Sequence, residues 1–325
     1  MRLPDHAASL LFWIGRAVVL TVLCAAVPPT LAQPQLRALY VTDPGNARIV
    51  RITDMSGAGW TAVPTRATGE RQFAFQSGIA VDSRGRIYFT DVPGSRLVRI
   101  DDMTGAGWTA FGTRGSARGQ FDLPAGVAVD TGGRIYVADA SNSRIVRVDD
   151  MTGAGWTALG SRGAGANQFA FPQGIVVDAA GRIHVTDALN DRIVRFNDIS
   201  GVGWTVVGGA GRGPRQFEFP AGVTVDVSGR IYVTDSGNDR IVRMDDITGA
   251  GWTVFAGLSS RATEFVFPTG IALDTAGRIY ITDEAHRIVR IDSMSGAGWV
   301  ALGDLGGGHS QFSFPSGIFV DPAGR

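Results

Sequence analysis

The sequence predicts an all-β fold, a six-bladed β-propeller made of four-stranded antiparallel blades, and three observations predict it. One stretch recurs along the chain, most cleanly from Gln216 to Ala256, and its tryptophans measure the interval: Trp60, Trp108, Trp156, Trp204 and Trp252 stand 48 residues apart and Trp299 follows after 47. Repeats of this length mark propellers or solenoids. Within the repeat the apolar period is two. Gly222 to Asp226, Arg230 to Asp235, Arg240 to Met244 and Trp252 to Phe255 are short β-branched or aromatic runs bounded by Gly, Asp, Asn and Ser, which reads as four strands, a to d, joined by hairpin-sized turns. The two ends of the repeat region are complementary fragments. Ala38 to Asp43 reads as a strand b, Phe319 to Arg325 as a strand a with its turn, and five whole units lie between. Pairing the C-terminal strand a with the N-terminal strands b to d makes the sixth blade and removes two exposed sheet edges.

In chain order, Met1 to Ala32 reads as a secretory signal peptide: Arg2 and Arg16 precede the apolar run Ala17 to Val27, and small residues follow at Thr30 to Ala32. Cleavage is expected near Gln33, with export to the periplasm or beyond. An uncleaved N-terminal anchor is the alternative. The one cysteine, Cys24, lies in this segment, so disulfides do not hold the mature chain together. Residues 33–325 then form a single propeller domain without a linker. Formal net charge is zero and every basic residue is arginine, which argues against a strongly basic nucleic-acid protein.

Strand alternation puts the d-to-a and b-to-c connections on one face of the disc. The d-to-a loops carry Arg66, Arg71, Arg114, Arg118, Arg162, Arg212, Arg215 and Arg261, so this face is expected to be cationic, and the turns on the other face, rich in aspartate, anionic. What repeats in every unit reads as scaffold. Asp43, Asp91, Asp139, Asp187, Asp235 and Asp283 end each strand b, while Arg48, Arg96, Arg144, Arg192, Arg240 and Arg287 open each strand c. A hairpin-holding pair is expected, with the carboxylate also accepting from turn amides. The tryptophans are expected to pack on the neighbouring strand.

What departs from the repeat is where a site is sought. The last full unit has a shortened turn with Glu284 and His286, and the loop after it carries Asp304 and His309. If these four converge, they offer an acid and base pair or metal ligands; Glu218 and Asp122 are further acidic outliers. Phe319 stands where the other strands a carry Ala80, Ala128, Val176, Thr224 and Ala272, either plugging the channel or filling a blade interface. His184 replaces a strand b tyrosine and reads as a core histidine with one hydrogen-bond partner. No metal or cofactor is expected.

The run from Phe217 to Arg243, Phe-x-x-Pro-x-Gly-x-x-Val-Asp-x-x-Gly-Arg-Ile-Tyr-Val-Thr-Asp-x-x-Asn-x-Arg-Ile-Val-Arg, resembles the NHL repeat, and the resemblance covers almost all of Ala38 to Arg325. It implies a six-bladed propeller of the TolB-like kind and a broad range of functions: protein-interaction and RNA-binding modules, sensor domains, and relatives with lyase or lactonase activity. The lactonase-type metal ligands and the zinc-binding histidine set of the lyase relatives have no counterparts here. The expectation is therefore an exported, monomeric, non-catalytic binding module that takes a protein or anionic ligand on the arginine-bearing face. The alternative is a lyase or lactonase-like hydrolase acting on a small ligand at the channel mouth.

Overall fold

In a computed structural model, residues 38–64, 75–257 and 263–321 are described. The chain divides into two compact units, Met1–Pro34 and Gln35–Arg325; the expected signal segment lies outside the described residues, as do Arg66, Arg71 and Arg261. Among the described residues no helix is long and apolar enough to cross a membrane.

The second unit contains six four-stranded antiparallel sheets. Blade 1 takes its strand a, Ile318–Asp321, from the C-terminal end, and adds Ala38–Asp43, Arg48–Ile52 and Thr61–Pro64. Its closing ladder sets Tyr40 opposite Phe319 and Leu39 opposite Val320. Blades 2 to 6 follow in chain order, beginning at Gln76, Pro124, Pro172, Pro220 and Ile271.

The core is not central. It consists of six apolar clusters, one in each wedge between neighbouring blades. Period-two patterning explains this directly: in strand b of blade 3, Ile135 and Val137 join the cluster shared with blade 2, while Tyr136 and Ala138 join the one shared with blade 4. A sheet buried on both faces needs apolar residues or hydrogen-bonded polar ones at every strand position, and strand b, buried throughout in all six blades, is apolar, His184 apart, until its closing Thr-Asp or Ala-Asp pair. Phe319 packs into the wedge between blades 1 and 2, so of its two expected roles it fills an interface.

The tryptophans meet neighbouring strands, Trp204 stacking on Phe196 of the adjoining strand at 5.6 Å and Trp156 meeting Phe111 of the preceding blade at 6.0 Å. Five of them also lie on the phenylalanine of the loop entering their own blade, with ring centroids 5.1 to 5.4 Å apart for Trp204 on Phe169, Trp252 on Phe217, Trp299 on Phe265, Trp60 on Phe312 and Trp156 on Phe121. The d-to-a loop is thereby laid down along the blade it enters. Its tip reaches that blade's c-to-d turn, where a Cβ added to Gly201, Gly249 or Gly57 would meet Asn167, Arg215 or Ser310.

Near the axis the six strands a close on one another through a ring of glycines. A Cβ at Gly78, Gly126, Gly174, Gly222, Gly270 or Gly317 would lie 2.1 to 2.7 Å from a backbone oxygen of the next blade, so no side chain fits. A strand b threonine ties five of the six junctions. Thr186 Oγ1 accepts from Gly174 N at 2.7 Å and donates to Ala221 O of the next blade at 2.7 Å; Thr42, Thr90, Thr234 and Thr282 repeat the bridge. Blade 3 has Ala138 at this position.

Candidate functional site

The strands a enter the disc at the end where the b-to-c turns also lie, and there the axis opens into a cavity of about 330 Å³. Two apolar rings line it. The outer ring is the residue three before each glycine: Phe75, Leu123, Phe171, Phe219 and Phe267 line the cavity, and Phe314 holds the same place in blade 1. The inner ring is the residue after each glycine, Ile79, Val127, Ile175, Val223, Ile271 and Ile318. Polar side chains on the wall are few, namely Ser77, Gln173, Thr269 and Ser316, and among the described lining residues none is ionisable.

The outer ring is held in an unusual conformation. Leu123, Phe171, Phe219, Phe267 and Phe314 have φ between 43° and 58°, a left-handed backbone that a bulky residue occupies at a cost of roughly 1–3 kcal/mol unless its surroundings enforce it. Side chains of the preceding blade supply part of that enforcement. Asp191 Oδ1 accepts from Phe219 N at 2.8 Å, Asp239 Oδ1 from Phe267 N at 2.7 Å, and His286 Nδ1 from Phe314 N at 3.1 Å. The strand-entry segments are thus positioned from both sides. Phe75, Leu123 and Phe314 remain 40 to 49 % exposed, which is unusual for such side chains at the centre of one face.

The repeated aspartates and arginines build the support beneath this ring. Each strand b aspartate is buried and pairs with the arginine opening strand c. The Arg48, Arg96, Arg144, Arg192 and Arg240 Nε groups donate to their carboxylates at 2.6 to 2.8 Å, and Arg287 reaches Asp283 through a terminal nitrogen at 2.9 Å. The amides these carboxylates accept from belong mostly to the strand-entry segment rather than to the hairpin turn: Ser313 N to Asp43, Asp122 N to Asp139, Ala170 N to Asp187 and Glu218 N to Asp235, at 2.6 to 2.7 Å. The remaining guanidinium nitrogens donate to loop carbonyls, as Arg240 does to Arg212 O and Gln216 O. Burial raises the Asp139, Asp187, Asp235 and Asp283 carboxyls above their ordinary value despite these donors.

The four residues singled out in and after the shortened turn do not converge. His286 sits against Phe314, ring centroids 4.5 Å apart, and occupies the acceptor place of Asp191 and Asp239. His309 lies at a loop tip, its ring tilted against Trp60 with centroids 5.1 Å apart and Nδ1 bonded to Ser310 Oγ. Glu284 and Asp304 are exposed; their backbone groups, not their carboxylates, make the recorded bonds, to Val266 and Phe312. Among the described residues no group of three or more His, Cys, Asp or Glu is placed to hold a metal. Asp122 pairs with Arg114 at 3.5 Å, and Glu218 lies over Gly237.

The arginines of the d-to-a loops stand away from the axis. Arg114, Arg118, Arg162, Arg212 and Arg215 are exposed, Arg212 donates to Asn238 O at 3.1 Å, and none lines the cavity. On the opposite face Asp82, Asp130, Asp178, Asp226 and Asp274 each hold an arginine Nε at 2.5 to 2.7 Å, while Asp102, Asp150 and Asp246 are exposed and accept from the threonine hydroxyls of their own turns. His184 lies on that side, buried, with Nε2 3.0 Å from Asp178 Oδ2 and Nδ1 without a partner. Sequence reasoning missed the cavity ring. Its signal is the residue two after the first phenylalanine of each strand-entry segment, aromatic in five units and Leu123 in blade 3, and a residue type that recurs does not stand out in a comparison between units.

The family model for the NHL repeat matches residues 121–147 and 217–244. No curated protein matches the chain. Among solved structures it is similar to a chain of a nidogen/laminin complex, with a TM-score of 0.66 and 21 % identity over 86 % of this chain and 97 % of that one. A streptogramin B lyase gives 0.58 and 15 % over 88 % of each chain, and a virginiamycin B lyase from Staphylococcus aureus 0.58 and 17 % over 89 % and 90 %. Identities this low show a shared fold. The chain is a six-bladed β-propeller, and two of its repeats match the NHL model.

Proposed function

We propose that this protein is an exported, non-catalytic binding module that engages its ligand or protein partner on the face around the channel mouth. The observation that carries the reading is the apolar ring of Phe75, Leu123, Phe171, Phe219, Phe267 and Phe314, partly exposed at the centre of a face where the exposed Arg212 also meets the b-to-c turn at Asn238 O. An apolar centre bounded by polar and arginine-bearing surface is how recognition sites are commonly built. The ionisable groups a lyase or hydrolase would need are engaged elsewhere: His286 as an acceptor for a backbone amide and His309 at a loop tip.

The experiment is purification from the native compartment, comparing wild type with the Phe171→Ser/Phe219→Ser double variant. The expected result is a protein or small molecule held by wild type and lost from the variant, a mature N-terminus near Gln33, and no stoichiometric metal. Stoichiometric zinc, calcium or magnesium that disappears in His286→Ala/His309→Ala would overturn the reading in favour of a lyase or lactonase-like hydrolase. An intact Met1 in a membrane fraction would replace export by anchoring.

A further inference from the structure

The axial cavity has features that narrow what it can hold. Its volume of about 330 Å³ falls at the lower end of the range for small-molecule pockets, about 300–1,000 Å³, where apolar lining with a few polar groups is the common pattern. The two rings present aromatic faces at the mouth and branched aliphatic carbons below. Between them sit Ser77, Gln173, Thr269 and Ser316. Two of these four are already committed: Ser316 Oγ bonds Thr42 Oγ1 at 3.0 Å and Gln76 O at 3.0 Å, and Thr269 Oγ1 bonds Thr282 Oγ1 at 3.1 Å and Pro315 O at 3.2 Å. The backbone groups around the glycine ring are likewise tied into the threonine bridges. A charged group entering this space would lose its hydration without meeting a counter-charge on the described wall, which is strongly unfavourable.

The floor and wall are also stiff. The glycine ring leaves no room for the strands to approach further, and the threonine bridges join five of the six junctions. Such a wall does not collapse onto a void, so a ligand of fitting size pays little reorganisation to enter. Phe219 and Phe267, with ring centroids 5.9 Å apart, are latched through their amides to Asp191 and Asp239, and therefore offer fixed aromatic surfaces.

We propose that the axial cavity is a binding site for a small, uncharged, predominantly apolar molecule, stacked between the aromatic ring at the mouth and the aliphatic ring beneath, with no part for the loop arginines. This assigns the ligand class of the face described under the proposed function and rests on that reading. It also replaces the anionic ligand that the arginine count alone suggested.

Two fluorescent probes with the same aromatic frame test it: N-phenyl-1-naphthylamine, which is uncharged, and 8-anilinonaphthalene-1-sulfonate, which adds one sulfonate. The folded wild-type protein is expected to bind the uncharged probe saturably with one site and the sulfonate at least tenfold more weakly. Phe171→Ser and, separately, Leu123→Ser are expected to weaken the uncharged probe at least tenfold, with the far-ultraviolet circular dichroism and melt of each variant unchanged. Arg114→Ser/Arg162→Ser should leave both probes unaffected. No saturable binding of the uncharged probe, binding that survives both ring variants, or a sulfonate that binds as tightly would overturn the assignment. A sulfonate that binds through Arg114 and Arg162 would leave the mouth as a binding face with a different ligand class. A partner lost from the double variant on purification, with neither probe bound, would do the same.

Discussion

Each blade carries an aspartate at either end, and the two behave oppositely. At the mouth, Asp139, Asp187, Asp235 and Asp283 are buried and their carboxyls are raised, because burial outweighs the amide and guanidinium donors. At the far end, Asp82, Asp130, Asp178 and Asp226 lie in the a-to-b turns. Burial raises these too, but hydrogen bonds from turn amides and from an arginine or histidine side chain more than offset it, and the carboxyls fall below their ordinary value. Both ends pair Asp with Arg. The difference is what the pair connects: at the far end a residue to its own turn four residues on, at the mouth one blade's hairpin to the strand-entry segment and loop that carry the apolar ring. The mouth is costly to build because it holds a surface in place, whereas the far end is a capped turn.

The largest expected effect breaks the mouth end. Asp235→Ala leaves Arg240 buried without its carboxylate, frees Glu218 N and removes one of the two acceptors of Asn238 Nδ2. Breaking a buried pair by removing one member costs about 3–5 kcal/mol, which a urea titration would read as a large fall in the midpoint. Asp226→Ala at the far end removes acceptance from Ser228 N and Arg230 N and the Arg230 pair, but these groups reach water. About 1–3 kcal/mol is expected. Its pH signature is specific: because the folded carboxyl is lowered, its stabilisation is present above 3.8 and is lost as pH falls through the lower folded value. The variant should therefore converge on wild type in acid. Equal losses at the two ends at neutral pH would sink the distinction.

Next comes repair of the one junction without a threonine. Ala138→Thr would restore a hydroxyl between Gly126 N and Gln173 O, as Thr186 does in blade 4. A gain of about 1 kcal/mol is expected, the net value of a typical intramolecular hydrogen bond, seen as a raised melting temperature. A loss would mean that the wedge has already closed on Ala138.

His184 tests the far end more finely. Tyrosines at this strand b position donate to the turn aspartate, as Tyr136 does to Asp130 at 3.2 Å and Tyr280 to Asp274 at 3.1 Å. His184 takes the same place, and burial lowers its pKa although Asp178 opposes the shift. A histidine lowered in the folded state binds its proton more readily when unfolded, so stability falls as pH drops below about 6.5 toward the folded value. His184→Tyr should flatten that part of a stability-versus-pH curve and leave neutral stability within about 1 kcal/mol, the spread of a conservative core exchange. An unchanged slope between pH 6.5 and 5 would refute the assignment.

How much was legible follows from the same internal repetition. Blade number, strand order and the closure of the C-terminal strand a on the N-terminal strand b could be read because period-two patterning and the 48-residue interval are local signals. The Asp187 and Arg192 pair was legible for the same reason. Two things were not. That the loops lie down along the blades depends on Phe169 and Trp204 meeting across 35 residues, and nothing local announces it. The cavity ring is hidden because recurrence marks scaffold, and Phe171 and Phe219 are both scaffold and surface. Comparison between repeats finds what differs, and a sixfold site does not differ.

His286 carries the smallest effect and the sharpest choice. As a catalytic or metal-binding group it would not tolerate aspartate with its role intact, whereas as an amide acceptor it should, because Asp191 and Asp239 perform that task two blades and one blade earlier. His286→Asp is expected to keep stability within about 0.5 kcal/mol, the range of a substitution that removes no partner. His286→Leu leaves Phe314 N without an acceptor and should cost about 1 kcal/mol, and in hydrogen exchange the Phe314 amide should lose protection in His286→Leu and keep it in His286→Asp. Phe314 is the ring member that leans on a histidine, so loosening it should weaken the uncharged probe less than loss of Phe171 does. If His286→Asp behaves like His286→Leu in both readouts, the acceptor role is wrong, and the equivalence of blade 6 with blades 4 and 5 at the mouth fails with it.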